Sequence, residues 1–573
     1  MANIITSDHV LPIDESFQVT AGPGAGKTHW LINHINNVLT HSTKIGLSRK
    51  VACITYTNVG VDTIKSRLNF GNDLIDVCTI HTFLYDNIVK PYIYLIAESY
   101  KIPLDKLTLI DDSNFKSIQI AHKFCKVKYA HESYIEGLHD AKWQYKDHAY
   151  KDYKPSYPRK YQITNDNTPN IIKERYVNNE WYKDFKTWLW QQGYFSFDDV
   201  LYFSYILLLE YPSIYKLINA GYPYIFIDEF QDTVPFVLDI MLRLSKEGVI
   251  LGVVGDIAQS IYDFSGVKVE EIQKFHIPGY ENNKYEIRGN RRSTKQIIEL
   301  LNTIRPDFSQ ECLNKSEGDV PELLVGDVIK CYQKSIEKCG TDNIKTLTYT
   351  NRTVNIMRQV LSHNMPQDLD TINKLDNKTI DLLKSDFDRN HERQRYIKSL
   401  IKAVELAQMD DMTNAWYNLN CIDGNRYDTV MILQYLLLNY KDYKDGTLMD
   451  FYNIITDKLS IKLTKIVGKE IKNTYNNTKY ADVALCVSNS DSNIPHKTIH
   501  KSKGDEFDNV FIILDKVSDL NFLTSPNLTN NQNHRLYYVA ASRAKKRLFI
   551  NVPKLDAKYK KMLAGKPINI TYI

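Results

Sequence analysis

Eight residues near the N-terminus, Ala21-Gly22-Pro23-Gly24-Ala25-Gly26-Lys27-Thr28, combine small side chains with one cation and one hydroxyl. A turn of this composition lets several backbone N–H groups point at one phosphate, and a helix starting there adds positive potential. Gly22, Gly24, Ala25 and Gly26 form the cradle. Lys27 can reach the β- and γ-phosphates of a nucleoside triphosphate, and the Thr28 hydroxyl can ligate Mg²⁺. The strict pattern begins with glycine where this chain has Ala21, and glycine-rich turns without phosphates are common. A second segment, Tyr224-Ile225-Phe226-Ile227-Asp228-Glu229-Phe230-Gln231-Asp232-Thr233, ends an apolar run in adjacent carboxylates. Asp228 can hold the Mg²⁺ shell. Glu229 points elsewhere and can orient and deprotonate an attacking water. Acidic pairs after strands are frequent, but joined to the glycine-rich turn this one implies NTP hydrolysis. A kinase needs no water-activating glutamate.

These groups need a parallel α/β frame that delivers them at strand ends. The pattern supplies one. Phe17–Thr20 reads as a strand, followed by the turn, a helix through Val38, and a strand at Val51–Tyr56. From about 95 to 195 the chain turns helical, polar and aromatic. There Lys142, Trp143, Tyr145, Lys146, Tyr150, Lys151, Tyr153, Lys154, Tyr157, Arg159 and Lys160 interleave charge with rings. Asp140, Asp147 and Asp152 dilute that charge, so the stretch reads as a solvated face, with a duplex or partner contact as the alternative. Strands return at Tyr224–Ile227 and Val249–Val254. A further α/β region starts near Tyr285 and includes Ile344–Tyr349. Polar, mostly helical sequence follows from 365 to 481. Strands are predicted at Val483–Val487 and Val510–Leu514, and a helix at Asn533–Lys545.

Composition is compatible with this frame. The chain has 573 residues, 43% hydrophobic and 24% charged, which argues against wholesale disorder and small disulfide scaffolds. Its net charge of +4 (72 basic, 68 acidic) is too small to prove a nucleic-acid partner, so any such affinity must come from local placement. The 8 cysteines form no CxxC pair, and buried free thiols in a reducing compartment are expected. No apolar run approaches the ~18 residues of a membrane span. The N-terminus has no basic segment followed by an apolar block, so no signal peptide is expected, no membrane association, and a cytoplasmic location.

The acidic segment 228–233 resembles the signature of the UvrD/Rep family of superfamily 1 DNA helicases. Other segments then fall in that family's order. Ala21–Thr28 resembles motif I, Thr55-Tyr56-Thr57-Asn58 motif Ia, and Thr79-Ile80-His81-Thr82-Phe83 motif Ib. Gly255–Phe264 resembles motif III, Asn290-Arg291-Arg292-Ser293 motif IV, Thr498–Phe507 motif V and Arg535–Ala544 motif VI. The resemblance implies an α/β fold of two RecA-like P-loop motor domains, each carrying a largely helical insertion. Residues 1–94 and 196–284 would form the first motor domain, with 95–195 inserted. Residues 285–364 and 482–573 would form the second, with 365–481 inserted.

It also implies ATP and Mg²⁺ in the cleft between the motor domains. Lys27, Asp228, Glu229, Gln259, Arg292 and Arg543 would be catalytic. Gln259 would contact the γ-phosphate and the attacking water, and the two arginines would neutralise developing charge. Without the motifs, both arginines would read as surface ion pairs. Glu506 would bind the ribose. A DNA track would cross both domains. Tyr56, Tyr262 and Phe264 would stack on or wedge bases, and Thr57, Asn58, His81, Thr498 and His500 would contact the strand. For any one aromatic the alternative is core packing.

The chain departs from the family at several positions. No upstream Gln motif for adenine is recognisable. Arg291 stands where a stacking Tyr is usual, and a guanidinium plane could substitute. Ser265 replaces an Arg, Asp505 a Leu, and Gln532-Asn533 an acidic pair. No nuclease motif follows Arg543, so a helicase–nuclease fusion is not expected. In size and build the chain is similar to the helicase-like subunits encoded beside OLD-type nucleases, as in the Gabija anti-phage system. Two activities therefore fit. One is an ATP-driven translocase that moves 3′→5′ on single-stranded DNA and separates strands. The other is a DNA-activated ATPase serving as sensor for a partner OLD-type nuclease, with little processive unwinding.

Overall fold

The computed structural model describes residues 2–46, 48–68, 73–110, 124, 142–144, 162–164, 179–263, 266–351, 353–354, 357, 391–408, 411–419, 426–459, 463–487 and 495–573. Two parallel sheets organise them. The first is a 7-stranded sheet built from β1 (Asn3–Ile5), β2 (Phe17–Ala21), β3 (Val51–Thr55), β4 (Ile75–Thr79), β5 (Tyr224–Ile227), β6 (Ile250–Gly255) and β7 (Lys284–Ile287). Its spatial order is β1-β7-β2-β6-β5-β3-β4. All pairings are parallel.

Successive residues of these strands enter opposite cores, which is why they read as continuous apolar runs. Tyr224 and Phe226 pack with Phe17, Trp30 and Leu31 beneath α1 (Lys27–His41) and α2 (Asn58–Arg67). Ile225 and Ile227 face the other way, toward Leu207 and toward Leu238 of α3 (Pro235–Lys246). The part of the first insertion that is described leans on this second core through Ile96, Phe185 and Trp190.

A short parallel pair, β8 (Gly289–Asn290) and β9 (Glu311–Cys312), flanks α4 (Lys295–Ile304). The second main sheet has 6 strands: β10 (Glu322–Val325), β11 (Ile344–Thr348), β12 (His496–Thr498), β13 (Phe507–Ile513), β14 (Ala544–Val552) and β15 (Asn569–Tyr572). Its order is β12-β11-β13-β14-β10-β15, again with parallel pairing. Val510, Ile512, Leu548 and Ile550 pack under α4 and α6 (Gln532–Ala541). Phe511, Ile513 and Phe549 face α5 (Val328–Cys339). A separate helical core joins Ile397, Leu400 and Val404 to Phe451, Tyr475 and Tyr480.

Three sequence expectations change. The strand predicted at Val483–Val487 is the end of a helix, Tyr480–Val487. Tyr480, Val483 and Ala484 all enter the helical core at i, i+3 and i+4, and a short apolar run cannot be told from a buried helix by composition. The inserted helical body therefore runs past residue 481. A boundary at residue 285 would cut β7, which pairs with β1 and β2 of the first sheet. The segment 95–195 also contains strands: Thr108–Ile110 pairs with Tyr194–Ser196, and Lys142–Gln144 with Gln162–Thr164. The rest of the Lys/Tyr stretch at 145–160 lies outside the described residues, as do Phe264 and Ser265. The described cysteines Cys53, Cys78, Cys312, Cys331 and Cys339 are free thiols. Among the described residues no helix is long and apolar enough to cross a membrane.

Candidate active site

The glycine-rich turn leaves the C-terminal end of β2 and enters α1. Gly24 and Gly26 adopt φ of 69° and 81°, a left-handed backbone that side chains disfavour, and this lets the loop curl around the helix N-terminus. β6 lies between β2 and β5, so the ends of β2 and β5 flank one crevice. Asp228 follows β5 there and is buried. Thr28 donates its hydroxyl to Asp228 at 3.4 Å. Glu229 takes φ 53°, rare for a residue with a side chain. Gln231 donates its amide to the Glu229 carboxylate.

Burial and the charge of Glu229 push the Asp228 carboxyl pKa upward. Burial would do the same to Glu229, but Lys27 and Lys503 outweigh it and hold Glu229 ionised. An adjacent carboxylate pair in a desolvated crevice, with a threonine hydroxyl on one member, suits a divalent cation that takes its remaining ligands from water and phosphate. The donor set of Thr28 and Asp228 therefore fits Mg²⁺.

The opposite wall comes from the second sheet. Arg292 donates Nε to Glu506 at 2.8 Å, with Nη2 at 2.6 Å from the same oxygen, and donates Nη1 to the Ser542 carbonyl at 3.0 Å. Glu506 also meets Lys545 at 3.3 Å. The residue expected at the ribose is thus held by two cations. Arg543 is buried and donates to Gln259 Oε1 at 3.1 Å and to the Asp505 carbonyl at 3.2 Å. Burial and the nearby Arg292 lower its pKa to about 10, so it remains cationic at neutral pH. Arg291 pairs with Asp8 at 3.0 Å, and its backbone N–H donates to the Gly24 carbonyl at 3.0 Å. Together these groups bound a cleft of about 320 Å³. It is lined by Gly22 to Thr28, Asp228, Glu229, Gln259, Arg291, Arg292, Glu506 and Arg543.

The expected DNA-facing residues also gather at strand ends. Tyr56 follows β3 and Tyr262 follows β6, and their rings stack with centroids 5.1 Å apart. Thr57 caps α2 by accepting from Gly60 N–H at 3.1 Å, and Asn58 is exposed beside it. His81 opens the helix after β4 and packs on the Phe197 ring at 5.1 Å; burial lowers its pKa to about 4. His500 is half-buried, with its carbonyl 3.5 Å from the Tyr262 hydroxyl. Thr498 is 6% exposed and accepts from Lys501 N–H at 3.4 Å, so it offers little surface to a strand.

Several residues in this network were given no role of their own from sequence, although Asn290, Lys503 and Arg535 lie within the quoted motifs. Lys503 donates to the Asp232 carboxylate and to the Gln259 carbonyl at 3.1 Å, and sits 4.8 Å over the Tyr262 ring. It joins the crevice to the aromatic pair. Its place in the His500–Phe507 segment was the available signal. Asn290 and Gln310 both donate to the Pro23 carbonyl, at 3.0 and 2.9 Å. Arg535 is buried, donates to the Ser260 carbonyl at 2.5 Å and pairs with Asp263. Gln310 carries no local signal.

Residues 3–278 match the UvrD/REP helicase N-terminal domain, and residues 327–554 match the UvrD-like helicase C-terminal domain. The chain belongs to the UvrD-like helicase family. It is 28% identical over 335 residues to the Gabija protein GajB of Bacillus cereus (strain HuB5-5), covering 52% of this chain and 48% of that one. It is 24% identical over 348 residues to the ATP-dependent DNA helicase PcrA of Staphylococcus aureus (strain Mu50 / ATCC 700699), covering 59% and 44%. It is 26% identical over 308 residues to the ATP-dependent DNA helicase srs2 of Schizosaccharomyces pombe, covering 51% and 33%. The matched region thus spans a half or less of each of these relatives.

Proposed function

We propose that this chain is an ATP-dependent DNA translocase that moves 3′→5′ on single-stranded DNA and separates strands. The observation that carries the proposal is the cleft where Lys27, Asp228, Glu229 and Gln259, at the strand ends of the first sheet, face Arg292, between β8 and α4, and Arg543, just before β14 of the second sheet. In this reading Lys27 holds the β- and γ-phosphates, and Thr28 with Asp228 would hold Mg²⁺, which would neutralise phosphate charge. Glu229 accepts the proton of the attacking water. Gln259 and the two arginines stabilise charge on the γ-phosphoryl group. Glu506 must exchange a cation for a ribose hydroxyl. Lys503, in contact with both Asp232 and Tyr262, supports coupling of this chemistry to the grip of Tyr56 and Tyr262 on bases.

The test is steady-state ATPase with and without single-stranded DNA, with Lys27→Ala as control. Strong DNA stimulation, absent in the variant, supports the motor, and a 3′-tailed duplex then tests unwinding and polarity. A rate indifferent to DNA counts against it.

Similarity to a Gabija protein favours a second reading, a DNA-activated ATPase that serves a partner nuclease of the OLD type in anti-phage defence. Strand displacement by the isolated chain would weigh against this alternative. Hydrolysis without unwinding, together with a stable complex with that nuclease, would favour it.

A further inference from the structure

Arg305 ends α4, whose Ile297, Leu301 and Ile304 belong to the core of the second sheet. Its guanidinium leaves that core and meets the carboxylate of Asp256, just past β6 of the first sheet, at 2.7 Å. Both side chains are buried, at 8% and 0% exposure. The Phe308 ring lies 4.3 Å from the guanidinium and restricts where it can go. An ion pair this dry strongly resists loss of one partner.

Asp256 connects directly to the chemistry. Its Oδ1 accepts from Ala258 N–H at 3.1 Å, and its Oδ2 accepts from the Gln259 side-chain amide at 2.7 Å. Its own N–H donates to Gln231 Oε1 at 2.8 Å, and Gln231 donates in turn to Glu229. The other end of the Gln259 amide accepts from Arg543 at 3.1 Å. One amide is therefore clamped at both ends, its nitrogen by Asp256 and its oxygen by Arg543. Two of the cations that fix this arrangement, Arg305 and Arg543, come from the second sheet.

We propose that Arg305 is a positioning residue: by pinning Asp256 from the second sheet it sets the orientation of the Gln259 amide, so that hydrolysis requires the two sheets to be docked. This rests on the ATPase reading above. Arg305 is not among the residues that line the cleft. Its loss would leave the Asp256 carboxylate held only by the Ala258 N–H and the Gln259 amide, widening the orientations open to both side chains, while the glycine-rich turn between β2 and α1 stays intact.

The test compares wild type, Arg305→Ala, Arg305→Lys and the double variant Arg305→Met/Asp256→Asn, which strands no buried charge. DNA-stimulated kcat in Arg305→Ala is expected to fall about tenfold or more, with KM for ATP within about twofold. Arg305→Lys should recover part of the rate, and the double variant should lose as much as the single one. A folded Arg305→Ala with wild-type kcat, a defect confined to KM, or a double variant with restored kcat overturns the proposal. If Arg305→Ala does not fold, the lysine and double variants decide by the same criteria.

If wild type shows no hydrolysis above Lys27→Ala, the ATPase reading fails separately, and docking is then read from calorimetric unfolding without nucleotide. One shared transition in wild type and Arg305→Lys that splits into two in Arg305→Ala supports the docking role of Arg305. A single transition in Arg305→Ala, or two already in wild type, refutes it.

Discussion

Arg543 is buried with its guanidinium on Gln259, whereas Arg292 is chelated by Glu506. Neither belongs to the phosphate cradle itself, so removing Arg543 should spare ATP binding and strike turnover. We expect Arg543→Ala to keep nucleotide affinity while kcat falls by ~10³-fold or more. Equilibrium binding of a fluorescent nucleotide beside single-turnover hydrolysis checks this, and lost binding with normal saturated turnover would refute it. Glu229→Gln should trap ATP and tighten DNA binding, readable as slower turnover with a lower Kd for an oligonucleotide; unchanged turnover removes Glu229 as the base. Tyr262→Ala should weaken single-stranded DNA binding toward the lower end of the ~1–3 kcal/mol of a base–ring stack. The reason is that a base entering between the rings must first break the Tyr56–Tyr262 contact. At this scale much of the cleft lining was legible, because the glycine-rich turn and the acidic segment occupy short contiguous stretches, 21–28 and 228–233. Arg305, Gln310 and Asn290 were not read as tying distant loops together. Their partners lie far away in sequence, and nothing local marks an arginine at a helix end as a cross-sheet anchor.

Helix α1 shows how an element carries the cradle. His34 lies on its buried face, its ring parallel to Trp30 with centroids 5.4 Å apart and edge-on to Phe17 at 4.8 Å. Among the described residues neither ring nitrogen has a hydrogen-bond partner. Burial lowers its pKa to about 4, against an ordinary 6.5. The folded state thus resists protonation more than the unfolded chain does. The stability tied to neutral His34 is complete above pH 6.5 and drains away as pH falls toward 4, by up to about 3 kcal/mol. His34→Phe should flatten this acid limb, as read by Tm between pH 7 and 4.5; an unchanged profile would contradict it. Strands β2, β3, β5, β6, β11 and β13 were legible, since their β-branched and aromatic runs sit between glycine-rich or polar turns, whereas β1, β4, β7, β10, β12, β14 and β15 were not read. Tyr480–Val487 was not legible as a helix, because a short run that is apolar except for Asp482 fits either a strand or one buried helical face.

For the whole molecule, the cleft proposed to take the nucleotide draws its walls from two sheets with separate cores. A ligand that bridges them should stabilise both. With ATPγS and Mg²⁺ at 100-fold over Kd, binding adds about 2.7 kcal/mol, and calorimetry should show the unfolding of both sheets shifting together. A shift confined to one transition would mean that the second wall does not engage the nucleotide. The same architecture has a history in synthesis. Asn3 pairs with Tyr285 and Ile5 with Ile287, so the outermost strand of the first sheet finds its neighbour only when a long stretch of chain has emerged. At ~5–20 residues per second, roughly 15–60 s separate the two strands on the ribosome. Until β7 arrives, β2 presents an unpaired edge to any other nascent chain. The pace of translation up to residue 287 therefore sets how long this protein is vulnerable to pairing with the wrong partner.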